Sequence, residues 1–291
     1  MHKLILLMIV TVALYAQDNI IRVIAFGAHP DDCDGRFGGT AAKFAAMGHA
    51  VKFVSVTNGD AGHQSQGGGA LAKRRRAEAQ EAARRLGIAE YEVLDNHDGE
   101  LMPSLKVREE IIRLIRRWKA DIVLGPRPYD YHPDHRYTAI LLQDAAYMVV
   151  VPNVCPDTPP LRKNPVFLYF EDRFQRPVPF RPDIAVAIDD VIEKKIAGFD
   201  AHVSQMYEWL PWVDGAAEQP PTDPSQRLNW LRTRILKYAS GRINPSVRQA
   251  LDKWYGPAKA TSIRYAEAFE ICEYGERPGD EQIRQLFPML R

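Results

Sequence analysis

Two periodicities alternate along the first half of the chain. Short runs dominated by Val, Ile and Phe fall at residues 20–27 (IIRVIAFG), 51–57 (VKFVSVT), 91–95 (YEVLD) and 121–126 (DIVLGP). Their length and branched side chains suit strands. Between them the apolar residues recur three and four apart. One helix is expected to open at Gly38-Gly39-Thr40 with Ala41, Phe44 and Ala45 on one face, another spans 70–86 and stops at Gly87, and a third spans 105–118. Strands alternating with helices predict an α/β chain with a Rossmann-like, mostly parallel sheet and helices on both faces, a three-layer α/β/α arrangement.

The later pattern is less regular. A helix is expected at 137–148, strands at 166–170 and 184–188, and one long helix over 190–207, before the text turns Pro-rich and aromatic (WLPW, EQPPTDP) ahead of a helix at 225–239. This divides the chain into an α/β domain over 17–207 and a C-terminal extension, 208–291, packed on that domain or rimming its site. The glycine-rich stretch 58–69 (NGDAGHQSQGGG) reads as a flexible lid from which His63 can swing over a pocket.

A chain of 291 residues, 46% hydrophobic, can bury a full core. Its 38 Lys and Arg balance 37 Asp and Glu, which excludes the basic excess of a nucleic-acid binder and points to a small or neutral partner. Residues 1–16, with Lys3 ahead of an apolar run and Ala16 at the cut, read as a signal peptide, so the mature protein is expected to be periplasmic or secreted, with no stable membrane span. Leu14 is large for its place before that cut, and a retained anchor is the alternative. Cys33, Cys155 and Cys272 show no CxxC spacing and imply neither a disulfide framework nor a zinc ribbon. Oligomeric state is not legible.

The chemistry sits after two strands. AFGAHPDDCDGRFGGT (25–40) follows the first and presents His29, Asp31, Asp32 and Asp34; PRPYDYHPDH (126–135) follows the fourth and presents His132, Asp134 and His135. Ligands bind at the carboxyl ends of such strands. Either stretch alone reads as a helix cap, since Asp accepts free amide hydrogens in a first turn. Two at one rim point to a metal. Hydrolytic zinc commonly takes three nitrogen or oxygen ligands and leaves one position open. His29 and Asp32 can chelate from one turn and a histidine of the other loop completes the set, giving His29, Asp32 and His135.

HPDD followed by GGT, with HPDH about a hundred residues later, resembles the PIG-L/LmbE family of zinc-dependent N-acetylglucosaminyl deacetylases. The likeness extends to RRAEAQEAARRLGI (75–88) and the Asp98-Gly99 turn. The resemblance implies a Zn2+ cofactor on His29, Asp32 and His135, and Asp31 as general base. It gives His132 as an imidazolium that stabilises the oxyanion or protonates the amine, oriented by Asp134. Substrate contacts would come from Arg75 and Asp98. The substrate would be a small molecule or glycan bearing an N-acetyl group, cleaved to acetate and a free amine. Asp34 aligns with an acid of the family's turn and would bond a ligand histidine; Cys33 is a weak candidate ligand. Tyr207, Trp209 and Trp212 read as buried packing or as a sugar-stacking wall. A metal-dependent hydratase of a carboxylated enoate, gripped by a rim arginine such as Arg127, and a non-catalytic sugar-binding protein are the competing readings. The first loop lacks GxGxxG, which argues against a dinucleotide.

Overall fold

The computed structural model describes residues 20–215 and 219–290. Its spine is a seven-stranded sheet in the order β3-β2-β1-β4-β5-β7-β6. The strands are β1 (Arg22–Gly27), β2 (Ala50–Thr57), β3 (Glu90–Asn96), β4 (Ile122–Gly125), β5 (Val166–Phe170), β6 (Ile184–Ala187) and β7 (Ala266–Ile271). The first five run parallel, and β7 lies antiparallel between β5 and β6.

Strand β1 shows why its sequence is an unbroken apolar run. Val23 and Ala25 enter one apolar layer while Ile24 and Phe26 enter the other, so neither face meets water. Phe37 and Phe44 of α1 (Asp32–Ala46) and Leu86 of α2 (Gly68–Leu86) fill the first layer. Ile111 and Ile115 of α3 (Leu105–Trp118) and Leu141 of α4 (Pro133–Met148) fill the second. All six side chains are fully buried, each contributing roughly 1.5–3 kcal/mol.

Two expectations are corrected. Helix α1 begins at Asp32, so Gly38 and Gly39 lie inside it. A Cβ at Gly39 would stand 2.9 Å from Ile188, and the Glu267 carboxylate accepts the N–H of Gly39 (2.9 Å) and Thr40 (2.7 Å). The long helix over 190–207 is broken into a 3-10 turn (Asp189–Val191), α5 (Ile192–Ala201), a wide π turn (Ser204–Trp209) and α6 (Leu210–Val213). Ser204 donates its N–H and its hydroxyl to Glu78 there, at 2.9 and 2.6 Å.

The C-terminal part does more than pack on the domain. After α7 (Pro224–Ser240), α8 (Pro245–Tyr255) and α9 (Pro257–Ser262), β7 enters the interior of the sheet, and α10 (Asp280–Leu286) follows. Leu231, Ile235, Phe269 and Phe287 join the first apolar layer. The leader read over 1–16 lies outside the described residues. No described helix is long and apolar enough to cross a membrane.

Candidate metal centre

Strands β1 and β4 are neighbours. From β1 the sheet grows outward through β2 and β3, and from β4 through β5, so the crevice past their carboxyl ends is a topological switch point, where open α/β sheets take ligands. After β1 the chain turns tightly. The His29 carbonyl accepts the N–H of Asp31 (2.9 Å) and Asp32 (3.2 Å), and Asp32 Oδ2 accepts the His29 N–H at 2.8 Å. A Cβ at Gly27 would lie 2.6 Å from the Asp32 Cβ, so glycine is what lets this turn close. After β4, His132 caps α4, its Nδ1 accepting the Asp134 N–H at 3.2 Å, with Pro133 opening the helix.

These two loops bring three ligand atoms together. His29 Nδ1 lies 3.1 Å from His135 Nε2, which lies 3.4 Å from Asp32 Oδ2, itself 3.6 Å from His29 Nδ1. Tetrahedral bonds of about 2.0–2.1 Å would set ligand atoms roughly 3.3 Å apart. The triangle fits zinc. A second grouping within 4.8 Å has His132 in place of Asp32, and another joins His29 to Asp98, His132 and Asp134. The sides of the Asp32 triangle run from 3.1 to 3.6 Å.

Carboxylates stand behind both histidines, as metal-ligating imidazoles commonly require. His135 Nδ1 is 3.0 Å from Asp130 Oδ1. His29 Nε2 is 2.9 Å from Asp98 Oδ1 and 3.4 Å from Asp134 Oδ2, though neither oxygen lines up with the ring N–H. Burial disfavours the charged form of His29, but Asp134, Asp32 and Asp98 outweigh it and hold the imidazole well above its ordinary pKa. Burial likewise opposes charge on His135, and Asp32 and Asp130 raise it to about 9. Burial lifts the Asp31 carboxyl, with Arg75 opposing and Asp32 adding to the effect. His132 is pushed down by burial and by the charges of His29 and His135.

Several residues take other places than expected. The Asp134 carboxylate accepts the N–H of Gly99 (2.7 Å) and Leu101 (3.3 Å) and faces His29; only its backbone bonds His132. Arg75 is buried, donating to Asp31 Oδ1 at 3.2 Å and to the Gly59 carbonyl at 3.1 Å, so it grips the expected base and leaves no hand in the cleft. Asp98 leans on His29 and Arg75. Arg127 is no free rim arginine: it forks onto Asp172 (2.7 and 2.8 Å) and donates to the Val178 and Phe174 carbonyls. Asp34 points away from the ligand histidines to buried His202, 3.2 Å off. Cys33 turns into the core, its Sγ 3.4 Å from the Ala25 carbonyl. The glycine-rich stretch is tethered: Asp60 accepts the Asp98 N–H, Gln205 donates to the Gly62 carbonyl, and His63 bonds Glu208 at 2.9 Å. Tyr207 is core, while Trp209 and Trp212 stack on each other with Trp212 exposed.

Comparison with known proteins fits this geometry. Residues 24–146 match the family described as PIG-L, GlcNAc-PI de-N-acetylase. Over 206 residues, 67% of this chain and 74% of the other, the protein is 32% identical to the diacetylchitobiose deacetylase of Thermococcus kodakarensis. The chain belongs to the PIG-L family. It is also 27% identical over 228 residues, 75% of its length and 86% of the relative's, to the 4-oxalmesaconate hydratase of Pseudomonas putida. In three dimensions it matches the N,N'-diacetylchitobiose deacetylase of Pyrococcus horikoshii, solved with its inhibitor MPG. That match has a TM-score of 0.65 and 26% identity, over 87% of this chain and 84% of that one.

Within this PIG-L member two residues escaped the sequence reading. Asp130 stands in the second cluster, five residues before the histidine it supports, and was legible there as a second acid beside Asp134. His202 carried no local signal, because the buried acid that it faces lies far away in sequence.

Proposed function

We propose that the protein is a zinc-dependent deacetylase that removes acetyl from an N-acetylated amino sugar or its conjugate, releasing acetate and a free amine. The observation that carries the reading is the near-equilateral His29, Asp32, His135 tripod with the Asp31 carboxylate beside it. A divalent ion held there supplies Lewis acidity and makes a neighbouring water a competent nucleophile near neutral pH.

The chain's own groups do the rest. Asp31, oriented by Arg75 and lifted by burial, takes the proton of the attacking water. His132 accepts the Asp134 N–H at Nδ1, so in its neutral ring the hydrogen sits on Nε2, and its depressed pKa keeps it neutral. It therefore serves as a hydrogen-bond donor to the oxyanion, where the family resemblance implied an imidazolium. Asp31, now protonated, is left as the acid that delivers a proton to the departing amine.

The hydratase relative keeps a second reaction in play, since hydration of an enoate needs the same activated water. Acetate release from a panel of N-acetyl sugars, run beside loss of enoate absorbance, separates them. Asp31→Asn should retain the metal and lower acetate release by about 10²–10⁴-fold. Full activity in that variant, or zinc-loaded protein that frees no acetate from any member of the panel, overturns the reading.

A further inference from the structure

A shallow cleft opens beside the tripod, along the carboxyl ends of β1, β4 and β5, and shares Asp32 and His135 with it. Its remaining charged lining is Arg36, Arg127, Asp130, Glu171 and Asp172. Every acid there is already engaged. Asp172 is forked by Arg127 at 2.7 and 2.8 Å, Glu171 meets Arg242 at 2.9 Å, Asp130 meets His135 at 3.0 Å, and Asp32 belongs to the tripod.

Arg36 is different. It sits half-buried in the first turns of α1, and its Nη1 donates to the Glu171 carbonyl at 3.0 Å and, at 3.5 Å, to the Tyr238 hydroxyl. Among the described residues no carboxylate lies within 4.0 Å of it. A half-buried guanidinium that bonds only neutral acceptors is a receptor for an anion, and its planar fork fits a carboxylate edge-on.

We infer that Arg36 reads a carboxylate on the substrate, so that the amide cleaved at this site belongs to an N-acetylated amino sugar that also carries a carboxylate. The inference rests on the deacetylase reading for the reaction and on the cleft alone for the anion. It also moves the substrate-gripping role expected of Arg127, which Asp172 has taken, to an arginine that the sequence reading passed over.

The test compares N-acetylmuramic acid, a carboxylated N-acetyl sugar, with N-acetylglucosamine. Acetate release by the zinc-loaded enzyme is measured together with calorimetric binding to its zinc-loaded Asp31→Asn form. The wild type should favour the carboxylated sugar by about 10–100-fold in kcat/KM and in Kd, the range expected of a charge-assisted fork. Arg36→Ala should erase that preference by lowering the carboxylated value far more than the neutral one. Arg36→Lys, which keeps the charge and loses the fork, should fall between them and guards against a folding defect in the alanine variant. Equal handling of the two sugars by the wild type, or a preference that survives in Arg36→Ala, overturns the inference and leaves Arg36 a staple for the Glu171 carbonyl. Enoate hydration without acetate release would overturn the deacetylase reading while the binding comparison still decides the role of Arg36.

Discussion

Stripping the metal should make stability depend on pH in a direction set by the tripod. In the metal-free protein His135 is raised from its ordinary 6.5 to about 9, and His29 is raised as well. A group whose folded pKa is raised stabilises the fold fully below its unfolded pKa and loses that contribution as pH climbs through the folded value. Asp32 is held well below its ordinary value, chiefly by His135 and His29 acting against the burial that would raise it, so it stays ionised and constant above neutral pH. For His135 alone, the move from 6.5 to about 9, at about 1.36 kcal/mol per unit, is on the order of 3 kcal/mol. Denaturant unfolding of chelator-treated protein from pH 6.5 to 9.5 should therefore show stability falling by at least about that amount. His135→Asn should lose its own share of the slope, separating it from the shares of His29 and of buried His202, which is raised too, with Asp34 outweighing burial. The zinc-loaded protein should not share the decline, because the ion needs both imidazoles deprotonated and binds better as pH rises. A metal-free stability that is flat or rising across this window would refute the reasoning.

Three further perturbations probe the same framework. Asp130→Ala removes the carboxylate behind His135 and should weaken zinc binding by about 10–100-fold, read by competition with a chromophoric chelator. Gly27→Ala places a Cβ 2.6 Å from that of Asp32 and should cost most of the bound zinc by elemental analysis; retention of stoichiometric metal would show that the turn relaxes. Glu208→Ala strips buried His63 of its partner, a loss of about 1–3 kcal/mol, and should raise amide hydrogen exchange across residues 60–67 while leaving β1 protected.

How much of this was legible depended on how local each feature is. His29 and Asp32 share one turn and His135 follows another parallel strand, so motif and strand direction together pointed them to one rim, and the adjacency of β1 and β4 brings them within reach. The glycine-rich stretch misled because its composition describes only its own freedom. Its restraints come from Asp98, Gln205 and Glu208, residues that the chain supplies much later. Strand β7 was missed because AEAFEI places Glu267 inside the protein, where a sequence pattern reads solvent; its charge is matched by Lys195 at 2.5 Å.

The opening turn carries Asp31, Asp32 and Asp34 within four residues, a concentration of like charge that would repel if the three side chains pointed one way. Helix geometry prevents this. Successive residues of α1 turn by about 100°, so Asp32 and Asp34 lie on nearly opposite faces and meet different cations: Asp32 faces His135 and His29, and Asp34 faces His202 beneath. Asp31, just ahead of the helix, turns to Arg75 of α2. Each partner comes from a separate element, so the acid cluster also ties α2, α4 and the segment after α5 to the end of β1. The same spacing that gives the turn its three acids thus recruits the elements that wall the crevice, and shortening the turn by one residue would misdirect all three carboxylates at once.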